Sequence, residues 1–132
     1  MSLQVPPNCD LTLGLRCVDK SEPGRTIWEM RADERFANPG GVIQGGFLAA
    51  MLDSSMGASA VTSLRGRRAR VANAEMKVSF LRSAKVGSLL TCDARTIESG
   101  STVIFVEATI VDENQRLIAT ASSTYIAKER SQ

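Results

Sequence analysis

FANPGGVIQGGFLAAMLDSSMGASAVTSL, residues 36–64, carries one ionisable side chain in its whole length, Asp53. Its first third is irregular: Pro39 disfavours helix at Asn38, and the glycines at 40, 41, 45 and 46 let backbone approach backbone or a ligand closely. From about Gly45 the pattern turns helical. Phe47, Leu48, Met51, Leu52, Ser55 and Met56 recur at three- and four-residue spacing, with small residues on the remaining faces. A helix this apolar all round is a buried one, and the element to wrap it is a sheet. Residues 42–61 are apolar enough to suggest a membrane span, but their Gly, Ala and Ser content and the central Asp53 favour a soluble core helix. A lone carboxylate in such a setting is costly to bury unpaired. Asp53 is therefore the candidate working group, and a structural carboxylate capped by Ser54, Ser55 or Asn73 is the competing reading.

Outward from this helix the chain reads as strands. Leu11, Leu13, Leu15 and Cys17 alternate with polar or small neighbours and predict a half-buried strand over 11–18, followed by a turn at Lys20–Gly24. Thr26–Arg31 alternates again and pairs with it as a hairpin. The arginines at 65, 67, 68 and 70 mark the helix exit. Then Val71–Leu81 sets Ala72, Ala74, Met76, Val78 and Phe80 against Asn73, Glu75, Lys77 and Ser79. Ser88–Ile97, Thr102–Val111 and Leu117–Ala127 follow, separated by turn-forming residues. Two strands, one long helix and four more strands imply an α+β fold, an antiparallel sheet curled around one central helix as a single domain over 1–132.

Composition narrows the function classes. A chain of 132 residues with 43% apolar and 23% charged residues builds its own core, and a net charge of +2 gives no argument for nucleic acid or a membrane surface. Cys9, Cys17 and Cys92 form no CxxC pair and read as reduced thiols of a cytosolic protein. The N-terminal MSLQVPPNCD lacks the pattern of a secretory signal. There is no histidine. Ser-His-Asp and Cys-His catalysis, His metal sites and a His base are thereby removed, leaving proton transfer to a carboxylate, an amine, a tyrosine or water.

Helix geometry constrains the chemistry further. Eight residues place Gly45 and Asp53 about 12 Å apart along one helix axis, too far for both to reach one carbonyl. Gly45 is the expected helix start, where unpaired N–H groups and the positive dipole end polarise a carbonyl or hold an oxyanion. If Asp53 is the base or nucleophile, the simplest supplier of its electrophile is the Gly45 end of a second copy. The expected site is shared between two chains.

The run Asn38-Pro-Gly-Gly-Val-Ile-Gln44-Gly45-Gly46-Phe-Leu-Ala-Ala-Met-Leu-Asp53 resembles the signature of hotdog-fold acyl-CoA thioesterases of the phenylacetate-degradation type. Met76–Gly87 is similar to that family's strand and following Lys-Gly turn, and the likeness extends from about Leu13 to Tyr125. The resemblance implies Asp53 as the catalytic carboxylate, a nucleophile or a general base on water, and Gly45 as the amide polarising the thioester carbonyl. It implies Asn38 for positioning the acyl group or the water, and Asn73 for orienting the water. Gln44 stands where the family usually has histidine; it cannot shuttle protons but can hydrogen-bond the carbonyl or the sulfur. Arg82, Ser83, Lys85, Ser99, Gly100 and Met56 complete the expected substrate-binding set.

Each of these has a plainer reading. The four exit arginines, with Arg82 and Lys85, read first as solvated surface and second as a clamp for coenzyme A phosphates. Met51 and Met56 read as core ahead of acyl pocket, and Trp28 and Tyr125 as packing. A thioester is an activated acyl group, so a positioned, partly desolvated carboxylate and an oxyanion site suffice without metal or cofactor. The expected partners are an acyl-CoA and further copies of the chain, as a dimer or a dimer of dimers. The alternatives are a non-catalytic acyl-CoA binding module, which Gln44 keeps open, and a hotdog-type enoyl-thioester hydratase, which the missing histidine disfavours.

Overall fold

One uninterrupted helix, α2 (Gly45–Ser63), lies against a six-stranded antiparallel sheet in a computed structural model that describes residues 5–130. The first residues of the segment read for a secretory signal lie outside the described residues. The chain order is α1 (Asn8–Leu13), β1 (Arg16–Asp19), β2 (Arg25–Arg31), a 3-10 turn (Glu34–Phe36), α2, β3 (Ala69–Phe80), β4 (Leu89–Ser99), β5 (Val103–Val111) and β6 (Leu117–Glu129). Across the sheet the order is β1-β2-β4-β5-β6-β3, with β1 and β3 at the edges. This is the curved sheet around one long helix expected from the sequence.

The periodicities explain the core. On β5, Ile104, Val106, Ala108 and Ile110 alternate inward and are buried, while Phe105, Glu107 and Thr109 face out. The inward face of α2 sets Met51, Leu52 and Met56, all fully buried, against Met30, Leu90, Ile104 and Ile110 of the sheet. Two small polar residues tie the helix to the strands. Ser59 Oγ donates to the Gly24 carbonyl at 2.7 Å, and Thr26 Oγ1 to the Ser55 carbonyl at 3.0 Å. No helix among the described residues is long and apolar enough to cross a membrane.

Two expectations need correction. The strand read over residues 11–18 is mostly helix: α1 runs from Asn8 to Leu13 and β1 starts only at Arg16. Extended Pro7 (ψ 158°) launches the helix, and Gly14, left-handed at φ 68°, ends it with its N–H on the Leu11 carbonyl. Leu13 and Leu15 are buried, but Leu11 is 58% exposed, so the alternation reads across a helix end. The second correction concerns β3. A bulge between Asn73 and Glu75 leaves Ala74 without an opposite residue on β6. Asn73 pairs with Tyr125 and Met76 with Ser123, so Asn73 shares the helix-facing side with Val71, Met76 and Val78. An unbroken period of two places it instead with Glu75 and Lys77 on the other side.

The cysteines are three free thiols in graded environments: Cys9 exposed, Cys17 half-buried, Cys92 buried on β4 opposite Trp28. Burial pushes the Cys92 thiol up to about 12, against a smaller opposing effect of the Ser55 side chain. A thiol reagent at neutral pH should therefore modify Cys9 readily and Cys92 only after denaturation, a difference that peptide mass mapping of labelled native and unfolded protein will read.

Candidate active site

Asp53 sits on the outer side of α2, two turns from the helix start. It is exposed in the single chain, so the expected desolvated setting is absent there. It is also not unpaired. Its Oδ1 accepts from Asn73 Nδ2 at 2.9 Å and from the Tyr125 hydroxyl at 2.8 Å. The same hydroxyl lies 2.9 Å from the Asp53 carbonyl oxygen and 3.4 Å from Asn73 Nδ2. Asn73 is held in turn, its Oδ1 accepting from Ser123 Oγ at 2.8 Å, an orientation that aims its amide nitrogen at Asp53. Ser123 is buried and its Oγ also lies 2.8 Å from the Glu75 carbonyl. Among the described residues no group donates to Asp53 Oδ2.

The sequence assigns Tyr125 to packing and misses its place here. It is 3% exposed. Burial pushes its phenol well above the usual tyrosine value, reinforced by the hydrogen bond to Asp53 and the carboxylate's charge. The hydroxyl is accordingly a permanent donor at ordinary pH. A signal existed: on β6, residues 119, 121, 123, 125 and 127 share the inward face, and Ser123 and Tyr125 bring its larger polar groups. Asn73, expected to orient a water, has its side chain spent on Asp53 and Ser123.

The start of α2 is built by the preceding loop. Asn38 Oδ1 accepts from the N–H of Gly40 at 2.9 Å and of Val42 at 3.3 Å, and its own N–H bonds the Val42 carbonyl at 2.8 Å. Asn38 thus orients backbone. Ile43 N–H reaches the Ala84 carbonyl at 2.9 Å, fastening the loop to the segment after β3. Gln44 is the N-cap, exposed, with an extended backbone and no capping bond from its side chain. The third N–H of α2, that of Phe47, bonds the Gln44 carbonyl at 3.0 Å, and Gly45 borders a depression of about 320 Å³ together with Val42, Leu48, Phe80 and Leu81. A Cβ at Gly45 would stand 3.0 Å from the Phe80 ring, so glycine here lets the aromatic cover the first turn.

The expected substrate-binding residues fall in three places. Arg82, Ser83 and Lys85 are exposed near the Gly45 end, with Arg82 Nη1 on the Leu117 carbonyl at 3.0 Å. Ser99 and Gly100 lie at the opposite end, where Ser99 Oγ meets Ser63 Oγ at 2.9 Å and Gly100 forms the β4–β5 turn. Met56 is wholly buried in the core. A 19-residue helix spans about 28 Å, so one chain does not gather these groups around one ligand. Of the exit arginines, Arg67 pairs with Glu129 at 2.7 Å and donates to the Ser101 carbonyl at 2.6 Å. A larger cavity of about 710 Å³ lies between α1, β2 and α2, lined by Pro7, Leu15, Trp28, Ala58 and Val61, with Ser54 beside Asp53 at its edge.

The profile described as the thioesterase superfamily matches residues 40–119, which includes α2, β3, β4 and β5. The chain belongs to the thioesterase superfamily. Human acyl-coenzyme A thioesterase 13 is 25% identical over 89% of this thioesterase and 83% of its own length. A phenylacetic acid degradation-related protein from Ralstonia eutropha superimposes with a TM-score of 0.82 at 31% identity, covering 91% of this chain and 89% of the other. The smu.793 protein of Streptococcus mutans, solved bound to acetyl CoA, gives 0.82 at 20% identity, covering 89% and 91%, a likeness of fold. The hotdog reading of the sheet and helix holds, and the reaction class of this thioesterase is thioester hydrolysis.

Proposed function

We propose that the substrate is an acyl-CoA, hydrolysed to the free acid and coenzyme A by Asp53 of one subunit acting opposite the Gly45 helix start of another. The observation that carries this is the half-engaged carboxylate: Oδ1 holds two donors while Oδ2 is left without one among the described residues, on an exposed helix face. Acyl-CoA as substrate draws on the human acyl-coenzyme A thioesterase and on the acetyl CoA bound by the Streptococcus mutans protein.

In this reading Oδ2 takes a proton from a water as that water adds to the thioester carbonyl. The developing oxyanion accepts from the backbone N–H of Gly45 at the helix start. Collapse breaks the C–S bond and the thiolate leaves, taking up the proton as coenzyme A. Alternatively Oδ2 adds directly, expelling the coenzyme A thiolate, and water then attacks the Asp53 carbonyl of the mixed anhydride, releasing the acid. Single turnover in ¹⁸O-water separates the two, because only the second places label in Asp53. In this reading Gln44 donates to the carbonyl or the sulfur and takes no part in proton transfer. The route needs no metal or organic cofactor, and the compartment proposed is the cytoplasm.

The roughly 12 Å between Gly45 and Asp53 on one axis supports a site shared between subunits. Edge strand β3, twelve residues long, and the exposed Phe80 and Leu81 beside Gly45 are the surfaces a second copy would cover. Sedimentation should give at least twice the 14.2 kDa chain mass, with four chains fitting a dimer of dimers.

A panel of acyl-CoAs from acetyl to long-chain and aryl, followed by thiol release, tests the function. Release from at least one is expected. A rise in melting temperature without turnover would mean a binding module, and conversion of an enoyl-CoA without thiol release would mean a hydratase.

A further inference from the structure

We infer that Tyr125 is a positioning residue that decides which oxygen of Asp53 reacts. The inference rests on the thioesterase reading of Asp53 above and extends it to a residue outside the motif.

Tyr125 stands on β6 directly opposite Asn73, and the bulge after Asn73 turns both toward α2. Its hydroxyl meets Asp53 at two atoms, Oδ1 at 2.8 Å and the main-chain carbonyl at 2.9 Å. Both are acceptors competing for the one phenolic proton, so the hydroxyl stays at Asp53 whichever of them it serves. The ring is itself confined. It lies along α2 one turn beyond Asp53, where a Cβ on Gly57 would come within 3.6 Å of Cε1, and it is 3% exposed. The hydroxyl has one proton to give. When that proton is on Oδ1, the phenol oxygen faces Asn73 Nδ2 at 3.4 Å, and Asn73 supplies the second donor to Oδ1 at 2.9 Å. Oδ1 is thereby occupied from two strands. Oδ2 carries the lone pairs available to water or to the thioester. Without the phenol, rotation about the terminal bond of Asp53 exchanges the two oxygens between the Asn73 amide and the outer face, and the reactive orientation becomes one of several.

A tyrosine that merely packs would affect stability and leave the carboxylate alone. The experiment is a double-mutant cycle on steady-state thiol release, using whichever acyl-CoA the wild type turns over. Tyr125→Phe keeps the ring and should lower kcat about 10- to 100-fold, the size of one hydrogen bond to a charged group, with KM changed less than about twofold because no substrate contact is removed. In an Asp53→Asn background the same substitution should lower the residual rate no further, since its effect passes through Asp53. If Tyr125→Phe does not fold, Tyr125→Met removes the hydroxyl while filling the space with an adaptable side chain. Wild-type kcat in a folded Tyr125→Phe or Tyr125→Met variant overturns the inference, as does an equal further loss in the Asp53→Asn background. These outcomes are distinct from failure of the underlying reading. If Asp53→Asn retains full activity, or no acyl-CoA is hydrolysed, the assignment of Asp53 fails and the role of Tyr125 falls with it. A dead Asp53→Asn with a fully active Tyr125→Phe overturns the role of Tyr125 alone.

Discussion

Asp53→Asn should reduce thiol release by about 10²–10⁴-fold, the range expected for loss of a general base, while the protein stays folded. The variant is a clean one because the structure supplies its compensation. The introduced amide would still present an oxygen to Asn73 Nδ2 and the Tyr125 hydroxyl, the two donors that now meet Oδ1. What changes is the other position, where an amide nitrogen replaces the oxygen that no described residue engages. Asp53 is exposed in one chain, so no core contact is lost, and an unchanged melting temperature is part of the expected result. Full thiol release by a correctly folded Asp53→Asn would remove the carboxylate from the reaction and leave the helix start to be explained alone.

Leu52→Ala, one residue away, should do the reverse. Leu52 is fully buried on the sheet-facing side of α2 among Met51, Met56 and the inward residues of β4 and β5. Deleting its branched end removes apolar burial and leaves a cavity in a helix pinned on several strands, a loss of about 2–5 kcal/mol. The melting temperature should fall by roughly 10 °C or more, measured by calorimetry or circular dichroism. Val61→Ala on the same helix is the control. Val61 is 49% exposed, and its truncation should stay within about 0.5 kcal/mol. Equal losses at the two positions would mean that α2 is not seated in the sheet as described.

The contrast between neighbouring residues shows where the sequence is readable. α2 is legible because its three- and four-residue spacing has one physical solution, and β5 because strict alternation over nine residues admits no other. The 11–18 segment misleads, since Leu11, Leu13 and Leu15 fit a strand until Pro7 and the left-handed Gly14 are known to bracket a helix. The candidate site divides the same way. Asp53 stands out by its isolation, but its partners come from β3 and β6, 20 and 72 residues on. Asn73 is one of the three caps the sequence offers for it, whereas local pattern holds no information that brings Tyr125 beside it. The plainer reading of Met56 as core fits its complete burial, and the Asn38 side chain is occupied in stitching its own loop.

The bulge between Asn73 and Glu75 makes length, as well as composition, a determinant of the site. Ala74 has no opposite residue, yet it sets the phase of everything before it on β3. Deleting Ala74 would leave every functional side chain in the chain and restore a regular ladder. It would also rotate either Asn73 or the Met76–Phe80 segment away from α2. Aligning another sequence to this one therefore requires a decision about a gap at a single alanine before any residue can be matched to Asn73. An ungapped match across that point pairs an inward position with an outward one, so variation at residue 73 carries meaning only between chains that share the insertion.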